Sequence, residues 1–181
     1  MSFLRGFRKK LHNHFLLKEL TSLQIKRQSV DFERARQIGI LFNATELDER
    51  ELVLNYAKQL KNAGKKVKLL AFLNSKKNSP NFSFHHFNKK DVDWLMRPKG
   101  EVIENFARQS FDILINLSSS ANLPLDYIAA KSHGKFRIGP FHEQLNSYEL
   151  MIDVPQENDS KTFLEEVITL LKKTKTTSYA A

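Results

Sequence analysis

A chain of 181 residues, 41% hydrophobic and 27% charged, has the size and balance of one globular domain with its own core. It has no cysteine, which excludes disulfides, thiolate chemistry and cysteine-ligated zinc and fits a reducing cytoplasm. The net charge of +9 is unevenly spread: residues 1–36 carry nine Lys/Arg against three Asp/Glu, so the excess sits in an N-terminal arm.

In that arm Phe3, Phe7, Leu11 and Phe15 recur at helical spacing, and Arg5, Arg8, Lys9 and Lys10 lie mostly off their stripe. The pattern predicts a basic helix, followed by a connector over 29–36. No apolar run approaches the roughly 20 residues that span a bilayer. The N-terminus lacks the apolar core of a signal peptide. A cytoplasmic protein is expected.

From Gln37 the pattern changes. The run "IGILFN" (38–43) suits a buried strand. Thr45 offers an N-cap, with Asp48 three positions on, for a helix carrying Leu47, Leu52, Leu54, Tyr56, Ala57 and Leu60 and stopping at Gly64. "KVKLLAFLN" (66–74) is a second strand, and "FSFHHF" (82–87) a third, at an edge. Residues 89–97 read as irregular, with Trp94 in the core. Pro98 suits the start of a helix carrying Val102, Ile103 and Phe106. "DILINL" (112–117) is the fourth strand, and Leu123–Ser132 a helix with Pro124 in its first turn and Gly134 behind it. "KFRIG" (135–139) and "YELMIDV" (148–154) are the fifth and sixth strands; nothing fixes the direction of the sixth. Ser160 caps a final amphipathic helix, and 174–181 reads as a frayed tail.

Strands alternating with helices predict a three-layer α/β fold. Its sheet is mostly parallel and doubly wound (Rossmann-like), with about six strands in the order 3-2-1-4-5-6. Residues 37–173 form a single domain in this reading. Ligands in such folds bind outside the carboxyl ends of the strands, where the winding reverses. Here that crevice lies between strands one and four. Asn43 and Thr45 form one lip; Asn116, Ser118, Ser119 and Ser120 form the other.

The first lip argues against a dinucleotide. Phosphate binding needs a glycine-rich turn opening onto a helix N-terminus. This turn has no glycine, and Glu46, Asp48, Glu49 and Glu51 fill the first turns with carboxylates. NAD, FAD and Walker-type nucleotides are excluded, and no cofactor is expected. The serines read either as hydroxyl and amide donors to a small anion or sugar, or as turn residues satisfying their own backbone. No base is tied to them by spacing, so no catalytic residue is assigned. His85 and His86 are adjacent in a strand, and His12 and His14 face different ways on a helix, so no metal ligands are assigned.

The blocks "IGILFNATELDERELVLNYAKQLKNAGKKVKLLAFLN", "KKDVDW", "FDILINLSSSANLPLDYIAAKSHGKFRIG" and "LMIDV", in this order, resemble an uncharacterised family of small bacterial proteins, mostly from Bacteroidetes. The resemblance covers nearly the whole chain. It implies a bacterial cytoplasmic protein and brings no established activity. Residues 112–139 are also similar to the N-terminal half of heptosyltransferase-like glycosyltransferases, in which a strand, a polar loop, a helix and "RIG" follow one another. Those enzymes bind the nucleotide-sugar largely through a second domain, which is not expected here. That similarity implies a donor-less relic.

Two functions are expected from these residues. The first is a non-enzymatic binding or accessory protein whose arm (Arg5, Arg8, Lys9, Lys10) contacts nucleic acid or an anionic membrane surface. The bland alternative for the arm is that it packs its Phe/Leu stripe on the body. The second function is a small-molecule (sugar or carboxylate) binding protein, or a degenerate glycosyltransferase-like enzyme, using the two lips of the crevice.

Overall fold

Strand β1 (Gln37–Asn43) is buried from Ile38 to Phe42 because helices cover both faces of the sheet to which it is central. The computed structural model describes residues 2–22, 25–77, 81–119, 122–141, 147–153 and 160–173. Around β1 run β2 (Lys66–Leu73), β3 (His85–Asn88), β4 (Ile113–Asn116), β5 (Phe136–Pro140) and β6 (Leu150–Ile152). They form one sheet in the order β3-β2-β1-β4-β5-β6, and every pairing is parallel. The sixth strand, whose direction the sequence left open, pairs parallel to β5, with Ile138 opposite Leu150.

The period of two along the strands separates the two cores. Ile38, Ile40, Phe42, Ile113 and Ile115 face α2 (Leu47–Asn62) and α5 (Ser160–Lys173), which contribute Val53, Phe163 and Val167. Leu41, Leu70, Phe72 and Leu114 face α3 (Glu101–Ala107) and α4 (Leu123–Lys131), which contribute Ile103, Phe106, Leu125 and Ile128. Gly39 is forced by this packing: a Cβ there would lie 2.8 Å from Phe111 and Leu114. Outside α4 lies α1 (Ser2–Ser22), which docks Leu16 against Tyr127 and Ala130.

Helix ends depart from expectation in physical detail. Gly64 does close α2, at φ 78°. Thr45 does not cap α2. The cap position is Glu46, without a side-chain cap bond, because Asn43 claims the Thr45 hydroxyl at 2.6 Å. Pro98 does not start α3; it bridges Val92, and Gly100 at φ 127° opens the helix. Ser160 lies within α5, and its hydroxyl donates to Glu49 Oε1 at 2.7 Å. Leu47 and Val102, expected on buried helix faces, are exposed. Trp94 is 63% exposed instead of core, because it rides the turn of the loop that Val92 and Pro98 close. The expected tail 174–181 lies outside the described residues.

The amino edge of the sheet is strapped. The connector after α1 crosses it, and Arg27 donates to the carbonyls of Ser132 (3.0 Å) and Gly134. The Gln28 N–H donates to the Lys135 carbonyl at 3.1 Å. Lys65 reaches the carbonyls of Phe32 (2.6 Å) and Ala35 (3.0 Å) and lies over the Phe32 ring. Asp112 accepts from the N–H groups of Arg36 and Gln37 and from Lys135 Nζ at 2.8 Å. These bonds leave the opposite, carboxyl edge as the place where loops diverge. There β1 leads into α2 on one face and β4 into α4 on the other.

Candidate functional site

At the carboxyl edge the two expected lips are present, and most of their polar atoms are bound internally. Asn43 Oδ1 accepts from the N–H and the hydroxyl of Thr45, at 3.2 and 2.6 Å. The Thr45 oxygen accepts from the Asn74 N–H at 3.0 Å, which ties the end of β1 to the end of β2. This is a turn holding itself together, an Asx arrangement.

Across the crevice Asn116 is fully buried. Its Oδ1 accepts from the Ser118 N–H at 3.2 Å, and its Nδ2 donates to Tyr148 Oη at 2.7 Å and to Asp126 Oδ1 at 3.3 Å. Tyr148 Oη in turn donates to Asp126 Oδ1 at 2.6 Å. The three side chains form a closed buried triangle. Burial, with the Asp126 carboxylate close by, raises the Tyr148 phenol far above its ordinary range, so it stays a donor at all physiological pH. Gly139 makes the triangle possible: a Cβ there would sit 2.5 Å from the Tyr148 ring.

Of the serine lip, Ser118 is buried with its Oγ unpartnered among the described residues, Ser119 is half-buried, and Ser120 lies outside the described residues. Residues expected as one ligand-facing set are thus divided. Asn43, Thr45 and Asn116 are engaged in internal bonds, which leaves the Ser118 hydroxyl and half-buried Ser119 as the described members of the set without a side-chain hydrogen bond. By sequence position Asp126 is a first-turn carboxylate of α4, where it would complement the helix dipole. Asp126 and Tyr148 lie 22 residues apart, and nothing local marks the pairing.

The arm adds a second cluster at the same edge. His12 is fully buried; its Nδ1 donates to the Leu95 carbonyl at 2.7 Å, and its ring lies 5.8 Å from that of Tyr127. The carbonyl partner fixes the Nδ1–H tautomer and leaves Nε2 a buried acceptor, unpartnered among the described residues. Burial lowers the His12 pKa, against the opposing pull of the Leu95 carbonyl and the charges of Asp126 and Asp93. Farther along α1, Arg97 stacks on Phe15 at 4.2 Å, and Glu19 accepts from Tyr127 Oη at 2.7 Å. His14, as its helical phase required, is exposed.

The expected Phe/Leu stripe docks at its C-terminal end, where Phe15 packs against the Leu16 cluster, and rises out of the contact toward Phe7. Leu16 is buried, Phe15 and Leu11 are half-buried, and Phe7 is 51% exposed. His12 lies against Tyr127 in the second turn of α4, and the ten residues before it, 2–11, run about 15 Å further toward the carboxyl end at 1.5 Å per residue. Lys9 and Lys10 are exposed on that stretch and Arg8 is half-buried; the Arg5 side chain lies outside the described set.

The loop between β3 and α3 completes this end. Asp93 organises it, accepting from the N–H groups of Leu95 (2.9 Å) and Arg97 (3.0 Å) and from Arg97 Nε at 2.8 Å. Burial would raise its pKa, but the backbone and guanidinium bonds of Arg97 outweigh that and hold it below the usual carboxylate range. An open depression here is lined by Lys90, Asp91, Val92, Asp93, Lys99 and Gly100. Among the described residues no group of three or more His, Asp or Glu side chains is placed to hold a metal ion.

The six-stranded parallel sheet with helices on both faces defines a doubly wound α/β protein. Residues 8–174 match the model of a family of unknown function (DUF6913), and the chain belongs to that family. No curated protein matches the chain.

Proposed function

We propose that this is a non-enzymatic binding protein that presents the first half of α1, at the carboxyl edge of its sheet, to an anionic macromolecular surface. One observation carries the reading: α1 is anchored by its second half, through His12, Leu16 and Glu19, while Lys9 and Lys10 beyond the anchor are exposed. A helix held at one end presents its charges at little ordering cost. The lack of cysteine supports work in a reducing compartment. Retention on a heparin column tests the reading. The wild type should elute at high salt, and Lys9→Glu with Lys10→Glu should elute much earlier at unchanged melting temperature. Equal elution of the two proteins would overturn it.

A second reading has one observation in its favour. Ser118 Oγ is buried without a partner among the described residues, beside the switch point where doubly wound folds take ligands. A sugar or carboxylate at Ser118 and Ser119 would supply that partner, consistent with a relic of a glycosyltransferase-like half. A thermal-shift screen of sugars, sugar phosphates and carboxylates decides it. A ligand at 100 times its Kd should stabilise the fold by about 2.7 kcal/mol, and Ser118→Ala should shrink that gain. An equal shift in the variant contradicts this reading.

A further inference from the structure

We infer that the anionic partner is a lipid bilayer surface, on which the carboxyl end of the sheet docks with Trp94 and Phe7 as interfacial anchors. This inference rests on the binding reading above and names its partner. Six large apolar side chains are exposed among the described residues; Phe7, Trp94 and Val102 belong to carboxyl-end segments on the arm's face of the sheet, while Leu47 and Phe141 belong to that end but not to α1, α3 or the β3–α3 loop. Leu47 and Val102 open α2 and α3, Phe141 follows β5, Trp94 rides the β3–α3 loop, and Phe7 lies on the projecting half of α1. Exposed apolar residues scattered singly need no explanation; their gathering at one end does.

Trp94 is held out rather than left loose. Asp93, the residue before it, accepts from the N–H groups of Leu95 and Arg97 after it, and Met96 takes the uncommon φ of 63° to complete the turn. Leu95, the next residue, is buried, and its carbonyl is bound by His12 of α1. The loop and the arm are therefore one unit, and the indole is presented preorganised. Exposed Lys9, Lys10, Lys90 and Lys99 share this end. Tryptophan and phenylalanine beside lysines suit the headgroup level of an anionic leaflet, where indole and ammonium each find a matching layer.

Nucleic acid would accept the lysines and stack on Trp94, but Val102 offers no aromatic face to a base. A lipid surface takes aliphatic and aromatic side chains alike. On the arm's side the excess charge is that of Lys9 and Lys10. In the loop Asp93 pairs with Arg97 and lies 3.8 Å from Lys99, and Asp91 and Glu101 adjoin Lys90 and Lys99 in sequence, so its charges largely balance; Glu46, Asp48 and Glu49 start α2 on the other face of the sheet.

The chain's one tryptophan is its own reporter. The full-length protein is titrated with phosphatidylcholine vesicles, the same vesicles containing phosphatidylglycerol, and a single-stranded RNA oligonucleotide. The expected result is co-sedimentation with the anionic vesicles only and a blue shift of Trp94 emission. Lys9→Glu with Lys10→Glu should weaken binding at least about tenfold. Phe7→Ser should also weaken it, independently of any effect that Trp94→Ser has on folding. Binding and a Trp94 shift with RNA but not with vesicles would overturn the lipid assignment and leave the anionic-partner reading standing. Equal binding to both vesicle types would overturn the anionic-partner reading, and sedimentation with no shift would overturn the lipid assignment. No response to vesicles or RNA would overturn both readings.

Discussion

The amino edge of the sheet joins its charges; the carboxyl edge presents them. At the amino edge Arg27 and Lys65 close on backbone carbonyls, Asp112 gathers two N–H groups and an ammonium, and Arg137 clamps Glu149 and the last carbonyls of α4. Desolvation, reinforced by neighbouring Arg137, even lowers the Arg27 pKa to about 10, and Arg27 still binds two carbonyls. At the carboxyl edge lysines, a tryptophan and a phenylalanine face outward, and buried Ser118 Oγ and His12 Nε2 lack partners among the described residues. A fold can satisfy one end and leave the other unspent, because strands carry the core and loops are free to vary. The difference teaches that changes at the amino edge should cost stability, while changes at the carboxyl edge should cost binding.

The largest expected effect tests whether the Asn116–Asp126–Tyr148 triangle belongs to the structural part. Gly139→Val drives a side chain into the Tyr148 ring and should cost about 3 kcal/mol in urea unfolding. A cost under about 1 kcal/mol would show that the ring has room to move. Next, Asp112→Ala leaves the Arg36 and Gln37 N–H groups without their carboxylate. It should cost about 2 kcal/mol, with anionic binding unchanged. Tyr148→Phe removes the hydroxyl that Asn116 and Asp126 share and should cost about 1–2 kcal/mol. Neutral behaviour there would move the triangle from scaffold to site.

The pH dependence separates the two edges by window. Burial opposes ionisation of Asp112, but its bonds from Lys135, Gln37 and Arg36 outweigh it and lower its pKa. Its contribution is therefore present above the unfolded value near about 3.9 and is lost as pH falls through the lower folded value. His12 is also depressed, but it is a base, so its buried neutral ring favours the fold above about 6.5 and opposes it progressively below. Undocking of α1, followed by proteolysis near residues 22–28, should begin at higher pH than global acid unfolding. Coincident transitions would contradict this. The smallest effect is expected from Lys9→Glu with Lys10→Glu, within about 0.5 kcal/mol in stability, since both side chains are exposed.

Most of the architecture was legible because buried parallel strands read as short apolar runs, as in "IGILFN" and "DILINL", with capped amphipathic stretches between them. The site was less so. The Tyr148–Asn116 bond spans 32 residues and depends on Gly139 giving way, which no local pattern records. Trp94 reads as core because apolar Leu95 and Met96 follow it. Only the Asp93 turn turns it out. His12 and His14 carry no ligand spacing, and the partner of His12 is a backbone carbonyl 83 residues away.

Hydrogen exchange on the full chain, with and without phosphatidylglycerol vesicles, tests the contrast between the edges most directly. New protection is expected in residues 2–11 and 89–102, with 25–36 and 132–137 unchanged. Protection at the amino edge instead, or no change anywhere, would contradict that contrast.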